Sequence, residues 1–202
     1  MICVLDYGSG NVGSVFNVLN FLGYDVKISN DIEDIQNSSH LILPGVGAFK
    51  SSMKKIEHSI PIDILEKEVI DKGKPFLGIC VGMQVLADTG DEGGECDGLG
   101  WIPGKIKKIN TDDLPLPHIG WNNIEIIQDG DLFQGFKNVN DFYFVHSYAF
   151  HLSNSENLLA KVEYGSDVNA IIKKDNIFGF QFHPEKSQRA GQLILKNFLN
   201  FS

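Results

Sequence analysis

A chain of 202 residues with 43% apolar composition can bury one substantial core, and a single domain over residues 1–202 fits that length. Its net charge of −9, its pI near 5.0 and its single arginine, Arg189, argue against a nucleic-acid surface, which needs clustered Lys and Arg to meet phosphate. Three cysteines at wide spacings, Cys3, Cys80 and Cys96, argue against a disulfide scaffold and form no zinc pattern. With neither a basic leader nor an apolar stretch of about 18 residues, no membrane span and a cytoplasmic location are expected.

The apolar opening, residues 2–6, reads as a strand and runs into "DYGSGNVG", residues 6–13. Gly8, Gly10 and Gly13 have the G-x-G-x-x-G spacing that lets a backbone approach a pyrophosphate at a helix N-terminus, and Asp31 lies near where a ribose-binding acid would stand. Asp6 opposes that reading, because a carboxylate at the strand end repels an anionic pyrophosphate unless it is turned away. Further strands are expected over 25–29, 40–43 and 75–80, with helical patterns near 12–22, 49–56, 61–71 and 81–87. This is βαβ grammar, so a parallel sheet covered by helices on both faces follows. Later runs over 101–109, 119–127, 142–150, 158–164 and 169–182 predict antiparallel and mixed strands added to that sheet, before a final amphipathic helix near 189–198. No repeat or linker marks a domain boundary.

Three stretches carry chemistry. In "PFLGICVGMQVL", residues 75–86, a strand runs into Gly78-Ile79-Cys80-Val81-Gly82 and then a helical pattern, the G-x-nucleophile-x-G elbow with cysteine at its centre. A thiol there meets a helix N-terminus that favours thiolate, and the Val81 N–H is placed to donate to an oxyanion. Taken alone, Cys80 is equally readable as a core cysteine; Cys3, inside an apolar strand, is read as core. In "FGFQFHPEKS", residues 178–187, Pro184 biases His183 towards extended backbone, so His183 and Glu185 project from one face and the carboxylate can orient the imidazole towards Cys80. In "LILPGVGAF", residues 41–49, the glycine-rich Gly45-Val46-Gly47 turn can aim a second N–H at a carbonyl held on Cys80. Acyl transfer through a thioester is the chemistry these pieces share.

"LPGVGAF", "GICVGMQVL", "FVHSYAF" and "FGFQFHPEKSQ" together resemble the class I glutamine amidotransferases, and "DYGSGNVGSVFNVL", "PHIGWN", "FVHSY" and "HPEKSQ" resemble more narrowly the glutaminase subunits of imidazole glycerol phosphate synthase. The resemblance runs from Met1 to the last helix. It implies a three-layer, flavodoxin-like α/β fold with a central, mostly parallel sheet and an added antiparallel region. It also implies Cys80 as nucleophile, His183 as base and acid, and Glu185 as orienter. Gln84 and Glu92 fall where family members contact the amino-acid end of glutamine, with Ser147 and Tyr148 lining the same pocket. It makes DYGSGN a turn near a partner-facing end, with Asn11, Trp121 and Lys186 expected at the interface with a (β/α)8-barrel cyclase subunit in a heterodimer. No cofactor or metal is implied. Val81 replaces the leucine usual in the narrower family, which leaves the N–H donor unaffected. A paralogue supplying ammonia to another synthase, such as one amidating a bacterial surface sugar, would keep every motif cited; a cysteine hydrolase of related fold would lack the Gln84 and HSY matches.

Overall fold

The structure, a computed structural model, describes residues 1–111, 113–137 and 140–201. Strands β1 (Ile2–Val4), β2 (Val26–Ile28), β3 (His40–Gly45) and β4 (Phe76–Cys80) alternate with helices α1 (Val12–Phe21), α2 (Ile32–Asn37), α3 (Phe49–Ser59) and α4 (Ile62–Glu66). After β4 come α5 (Val81–Gln84), the short strands β5 (Thr89–Gly90) and β6 (Cys96–Asp97), then β7 (Gly104–Lys108) and β8 (His118–Ile126). The chain ends with β9 (Asp141–His146), β10 (Tyr148–Leu152), β11 (Leu158–Glu163), β12 (Asp167–Lys174), β13 (Ile177–Phe180) and α6 (Gln188–Leu199).

Among the described residues, nine strands form one sheet in the order β2-β1-β3-β4-β13-β12-β11-β8-β9. The pairs from β2 through β13 are parallel, and those from β13 to β9 are antiparallel. The two halves match the two grammars of the sequence. β1, β4 and β13 are buried along their whole length, which is why they read as unbroken apolar runs, whereas β9 alternates buried and partly exposed residues. A second sheet, β10-β7-β5-β6, contacts the first where β10 meets β12.

Several expected boundaries move for identifiable reasons. The run 142–150 is broken at Ser147, so that β9 and β10 enter different sheets, because paired neighbours and not hydrophobicity decide which sheet a strand joins. The run 169–182 is a β12–β13 hairpin turning at Asp175, whose φ of 54° is tolerated by a short polar side chain. The pattern over 61–71 becomes α4 followed by a π-turn over Lys67–Asp71, and the helix expected over 81–87 ends at Gln84 before irregular turns. α2 was not anticipated: its six residues are too few to show a period.

Backbone packing holds the centre together. A Cβ on Gly82 would run into the carbonyl oxygen of Leu43 on β3, and one on Gly78 into the carbonyl of Gly82. α5 therefore lies directly on the backbones of β3 and β4, a separation that only glycine allows. Because the obstructing atom is main chain in a buried strand, Gly82→Ala is expected to cost about 3 kcal/mol or more of stability, read as a lowered urea midpoint. A midpoint equal to wild type would contradict this packing.

Candidate active site

Four adjacent parallel strands deliver the candidate residues at their C-terminal ends, the position where open α/β sheets place ligands. β1 leads to Tyr7, Ser9 and Asn11; β3 ends at Gly45; β4 ends at Cys80; β13 leads to Gln181, His183 and Glu185. Gly45 and Cys80 are paired in register across β3 and β4.

Cys80, the last residue of β4, turns the chain sharply into α5, with φ 54° and ψ −110°. A non-glycine residue in that region costs about 1–3 kcal/mol and persists where its surroundings over-determine it, here through Gly78 and Gly82. Val81 opens α5, so its N–H has no partner within the helix.

His183 is completely buried and its position is fixed from several sides. Its backbone N–H donates to the Tyr143 carbonyl at 2.9 Å, its carbonyl accepts from the Ser187 hydroxyl at 2.6 Å, and Ser187 Oγ in turn accepts from the Tyr143 N–H at 3.0 Å. The HPEKS turn is thereby stapled to β9. His183 Nδ1 lies 2.8 Å from Glu185 Oε1, and the paired side chains are shielded from solvent. Carboxylate oxygen accepts, so Nδ1 carries the proton. Nε2 is then the atom left to act, and it is buried without a hydrogen bond. Burial disfavours a charged imidazole here. Anionic Cys80, and after it the Glu185 carboxylate, outweigh burial and push His183 up to about 10. Burial likewise opposes charge on Glu185, but His183 and an Asn11 N–H hold its carboxyl below the usual range.

Asn11 was expected at a partner-facing surface, and the structure corrects this. Its side chain is buried, and Nδ2 donates to Glu185 Oε1 at 3.0 Å. The residue stands at the N-cap position of α1 yet makes no side-chain cap bond, because its amide is turned to Glu185 and its Oδ1 accepts from Ser9 Oγ at 2.8 Å. Ser9 Oγ also accepts the Val46 N–H at 3.1 Å. A continuous chain thus links Val46 through Ser9, Asn11 and Glu185 to His183. Gly47 follows Val46 with φ 113°, a conformation that favours glycine.

The same details dispose of the pyrophosphate reading. The Gly8 N–H donates to Asp6 Oδ1 at 2.7 Å, so the carboxylate already occupies the anion position of that turn. A Cβ on Gly13 would meet open space, so the third glycine has no close packing to permit.

In the expected glutamine pocket, Gln84 is buried and its Nε2 donates to the Tyr148 carbonyl at 3.0 Å and to Gln181 Oε1 at 3.1 Å. Gln84 Oε1 is the atom it can offer an ammonium group. Ser147 and Tyr148 lie half-buried beside it, the Ser147 carbonyl accepting from the Ile109 N–H. Glu92 is half-buried, and Oε2 accepts the Phe49 N–H at 2.9 Å at the first turn of α3, just past Gly47. Burial raises its carboxyl above the usual range. Trp121 is 45% exposed on β8 and meets Tyr143 edge-on at 6.0 Å, while Lys186 Nζ stands 5.5 Å over the same Tyr143 ring. Ile119, 59% exposed, shares the Trp121 face of β8. Cys3 is core as expected, its thiol donating to the Ser29 carbonyl, with burial pushing it up to about 11. Ser9, His118, His146 and Gln181 were not singled out from the sequence, although each stands inside a quoted motif. Among the described residues no group of His, Cys, Asp and Glu is placed to hold a metal, and no helix is long and apolar enough to cross a membrane.

The sequence matches the family of class-I glutamine amidotransferases over residues 3–201. It is 44% identical over 199 residues to the imidazole glycerol phosphate synthase subunit HisH 1 of Campylobacter jejuni, covering 98% of each chain. It is 46% identical over 202 residues to the imidazole glycerol phosphate synthase subunit HisH of Caldanaerobacter subterraneus, covering 98% of this chain and 97% of that one. The structure of PurLQS from Thermotoga maritima superposes with a TM-score of 0.74 at 16% identity, covering 99% of this chain and 97% of that one, a likeness of fold. A nucleophile elbow, a shielded His–Glu pair and these full-length likenesses have one meaning: the chain belongs to the class-I glutamine amidotransferase family, among its HisH subunits.

Proposed function

We propose that this chain, acting as one domain in the cytoplasm, hydrolyses glutamine to glutamate and ammonia as the HisH subunit of an imidazole glycerol phosphate synthase in histidine biosynthesis. The ammonia passes to a (β/α)8-barrel cyclase subunit, which uses it to convert a phosphoribulosyl aminoimidazole nucleotide into imidazole glycerol phosphate and aminoimidazole carboxamide ribotide. The observation that carries the reading is the Cys80 elbow coupled to a His183 whose Nδ1 is committed to Glu185 and whose Nε2 is left for proton transfer.

The chemistry proceeds in two halves. Thiolate Cys80 attacks the side-chain amide carbon of glutamine, and the oxyanion is held by N–H groups of Val81 and of the Gly45-Val46-Gly47 segment. His183 Nε2 gives its proton to the departing nitrogen as the C–N bond breaks, which releases ammonia and leaves a thioester. Water then attacks the thioester while Nε2 takes its proton, and glutamate leaves with the thiol restored. Gln84 and Glu92, with Ser147 and Tyr148, hold the amino-acid end of the substrate. Trp121 and Lys186, bridged by Tyr143, form part of the face that meets the cyclase subunit.

Resting catalytic hydrogen bonds are commonly long and tighten with substrate, which accounts for the unbonded Nε2. The Val46 N–H is similarly withheld: it donates to Ser9 Oγ in this conformation, so a rotation of the Val46 peptide is needed to aim it at an oxyanion. Docking of the cyclase subunit with its acceptor shifts the population towards the rotated form, and the isolated chain is therefore a poor glutaminase.

Cys80→Ala is expected to abolish glutamine-dependent turnover while free ammonia still supports the cyclase reaction in the reconstituted pair; ammonia release by the variant would refute the nucleophile. Ser9→Ala removes the bond that retains Val46 and is expected to raise partner-free glutaminase turnover about fivefold, the weight of one neutral hydrogen bond. Unchanged or lower turnover would defeat the gating idea. A third test follows the His183 ring by NMR. Because its folded value is raised from 6.5, its contribution to stability is fully present below about 6.5 and is lost as pH rises through about 10. Cys80→Ala deletes the anion and is expected to move the His183 titration to lower pH; an unmoved titration would break the Cys–His coupling.

A further inference from the structure

Hydrogen-bond direction can be followed from the outer antiparallel strands to the reactive sulfur without passing through His183. The start is His146, at the end of β9. Its Nδ1 lies 2.9 Å from the Tyr148 carbonyl, which can only accept, so Nδ1 carries the proton and Nε2 a lone pair. His118 Nδ1, 3.1 Å from that lone pair, must then be a donor, and His118 Nε2 is left to accept from Asn122 Nδ2 at 3.5 Å. His118 and His146 are direct cross-strand partners on β8 and β9. The His118 ring is stacked between Tyr164, at 4.0 Å, and Phe144, at 4.9 Å, so it cannot swing away. Burial pushes His118 down to about 4 and His146 down to about 3, which keeps both rings neutral and the directions unambiguous near neutral pH.

The Tyr148 carbonyl accepts from His146 on one side and from Gln84 Nε2 on the other. The second Gln84 N–H goes to Gln181 Oε1, and this decides which end of the Gln181 amide is which. Oxygen faces Gln84, so nitrogen faces Cys80, and Gln181 Nε2 is 3.8 Å from Sγ in a site with no exposure of the Gln181 side chain. The same sulfur lies 4.0 Å from the Val145 carbonyl, a partner that only a protonated thiol can use. Only the S–H form can use Val145, whereas the Gln181 N–H can meet the sulfur in either form and is held more strongly by the anion.

We infer that Gln181 is a further catalytic residue of this site, whose amide N–H holds the Cys80 thiolate, and that His118 and His146 are positioning residues that act on it through the Tyr148 carbonyl and Gln84. The inference rests on the glutaminase reading for its purpose, and on contacts alone for the donor itself. A hydrogen bond to a charged acceptor is stronger than one between neutral groups, so Gln181 selectively favours the nucleophilic form. It also gives a role to the two histidines of PHIGWN and FVHSY, which are buried in neutral form and take no part in the proposed proton transfers.

The test uses the full-length chain and iodoacetamide, with alkylation of Cys80 followed by peptide mass spectrometry from pH 5 to pH 10 and the half-buried Cys96 as internal reference. Gln181→Met, similar in shape but without a donor, is expected to slow Cys80 alkylation at pH 7 about tenfold and to move its pH profile upwards, with Cys96 unaffected. The titratable neighbours coupled to the sulfur, His183 and Tyr7, are the same in both proteins. His118→Phe keeps the stacked ring and is expected to give a smaller loss in the same direction. An unaltered Cys80 rate and profile in folded Gln181→Met would overturn the inference. If that variant does not fold, the isosteric Gln181→Glu decides: its carboxylate should slow alkylation further, and a wild-type rate would overturn the inference equally. Failure of the wild-type protein to release ammonia from glutamine would sink the glutaminase reading and leave the alkylation comparison intact, so the two failures are distinguishable.

Discussion

The contact between the Gly82 backbone and the Leu43 carbonyl determines most of what surrounds the candidate nucleophile. A helix that begins directly on top of two buried strands has no room for a relaxed entry, and the residue at the corner is forced to φ 54°. That residue is Cys80. The strain is local and is balanced by the burial of β3, β4 and β13 on both faces, where apolar side chains fill the layers above and below the sheet. A stiff core beneath and a candidate site gathered at the strand ends are two consequences of one packing arrangement, since the parallel strands all finish at the same edge.

Two hydrogen-bond networks then approach the nucleophile from different parts of the chain, one ending at His183 and the other at the sulfur itself. One comes from the β1 and β3 loops: Val46, Ser9, Asn11 and Glu185 lead to His183. The other comes from β8 and β9: His118 and His146 lead through Tyr148 and Gln84 to Gln181. The first links proton transfer to the segment proposed to bind an oxyanion; the second orients the amide that faces the nucleophile. Because the side chains of Asn11, Glu185, His183, His118, His146, Gln84 and Gln181 are buried, a change at one of them leaves a partner unsatisfied at the next, and effects should propagate. Asn11 shows the cost of this arrangement. It forgoes the cap bond that an asparagine at a helix N-terminus ordinarily makes, and α1 begins with no side-chain cap as a result.

The antiparallel strands give the site its other asset, a face turned outward. Alternation along β8 sends His118 and Asn122 towards the interior network and Ile119 and Trp121 towards solvent, so one strand both braces the site and presents an apolar surface. Tyr143, its neighbour on β9, ties that surface to the HPEKS turn through Lys186, and the backbone of the same residue anchors His183. The proposed partner surface and the proposed base therefore share a residue, a short physical route for coupling between subunits.

The α/β grammar, the elbow and the His–Glu pair were legible in the sequence because each depends on near neighbours. Unbroken apolar runs mark strands buried on both faces, glycines flanking a cysteine mark a tight crossing, and a proline after His183 sets the extended geometry that lets a carboxylate two residues on reach the imidazole. The splitting of the 142–150 run, the inward turn of Asn11 and the direction of the Gln181 amide were not legible. Each is decided by a partner distant in sequence: β7 for β10, Glu185 for Asn11, and Gln84 for Gln181. Hydrophobic period and local geometry are properties of a segment, and the sequence by itself determined those; which donor meets which acceptor is a property of the packed strand ends, and only the tertiary structure decided it.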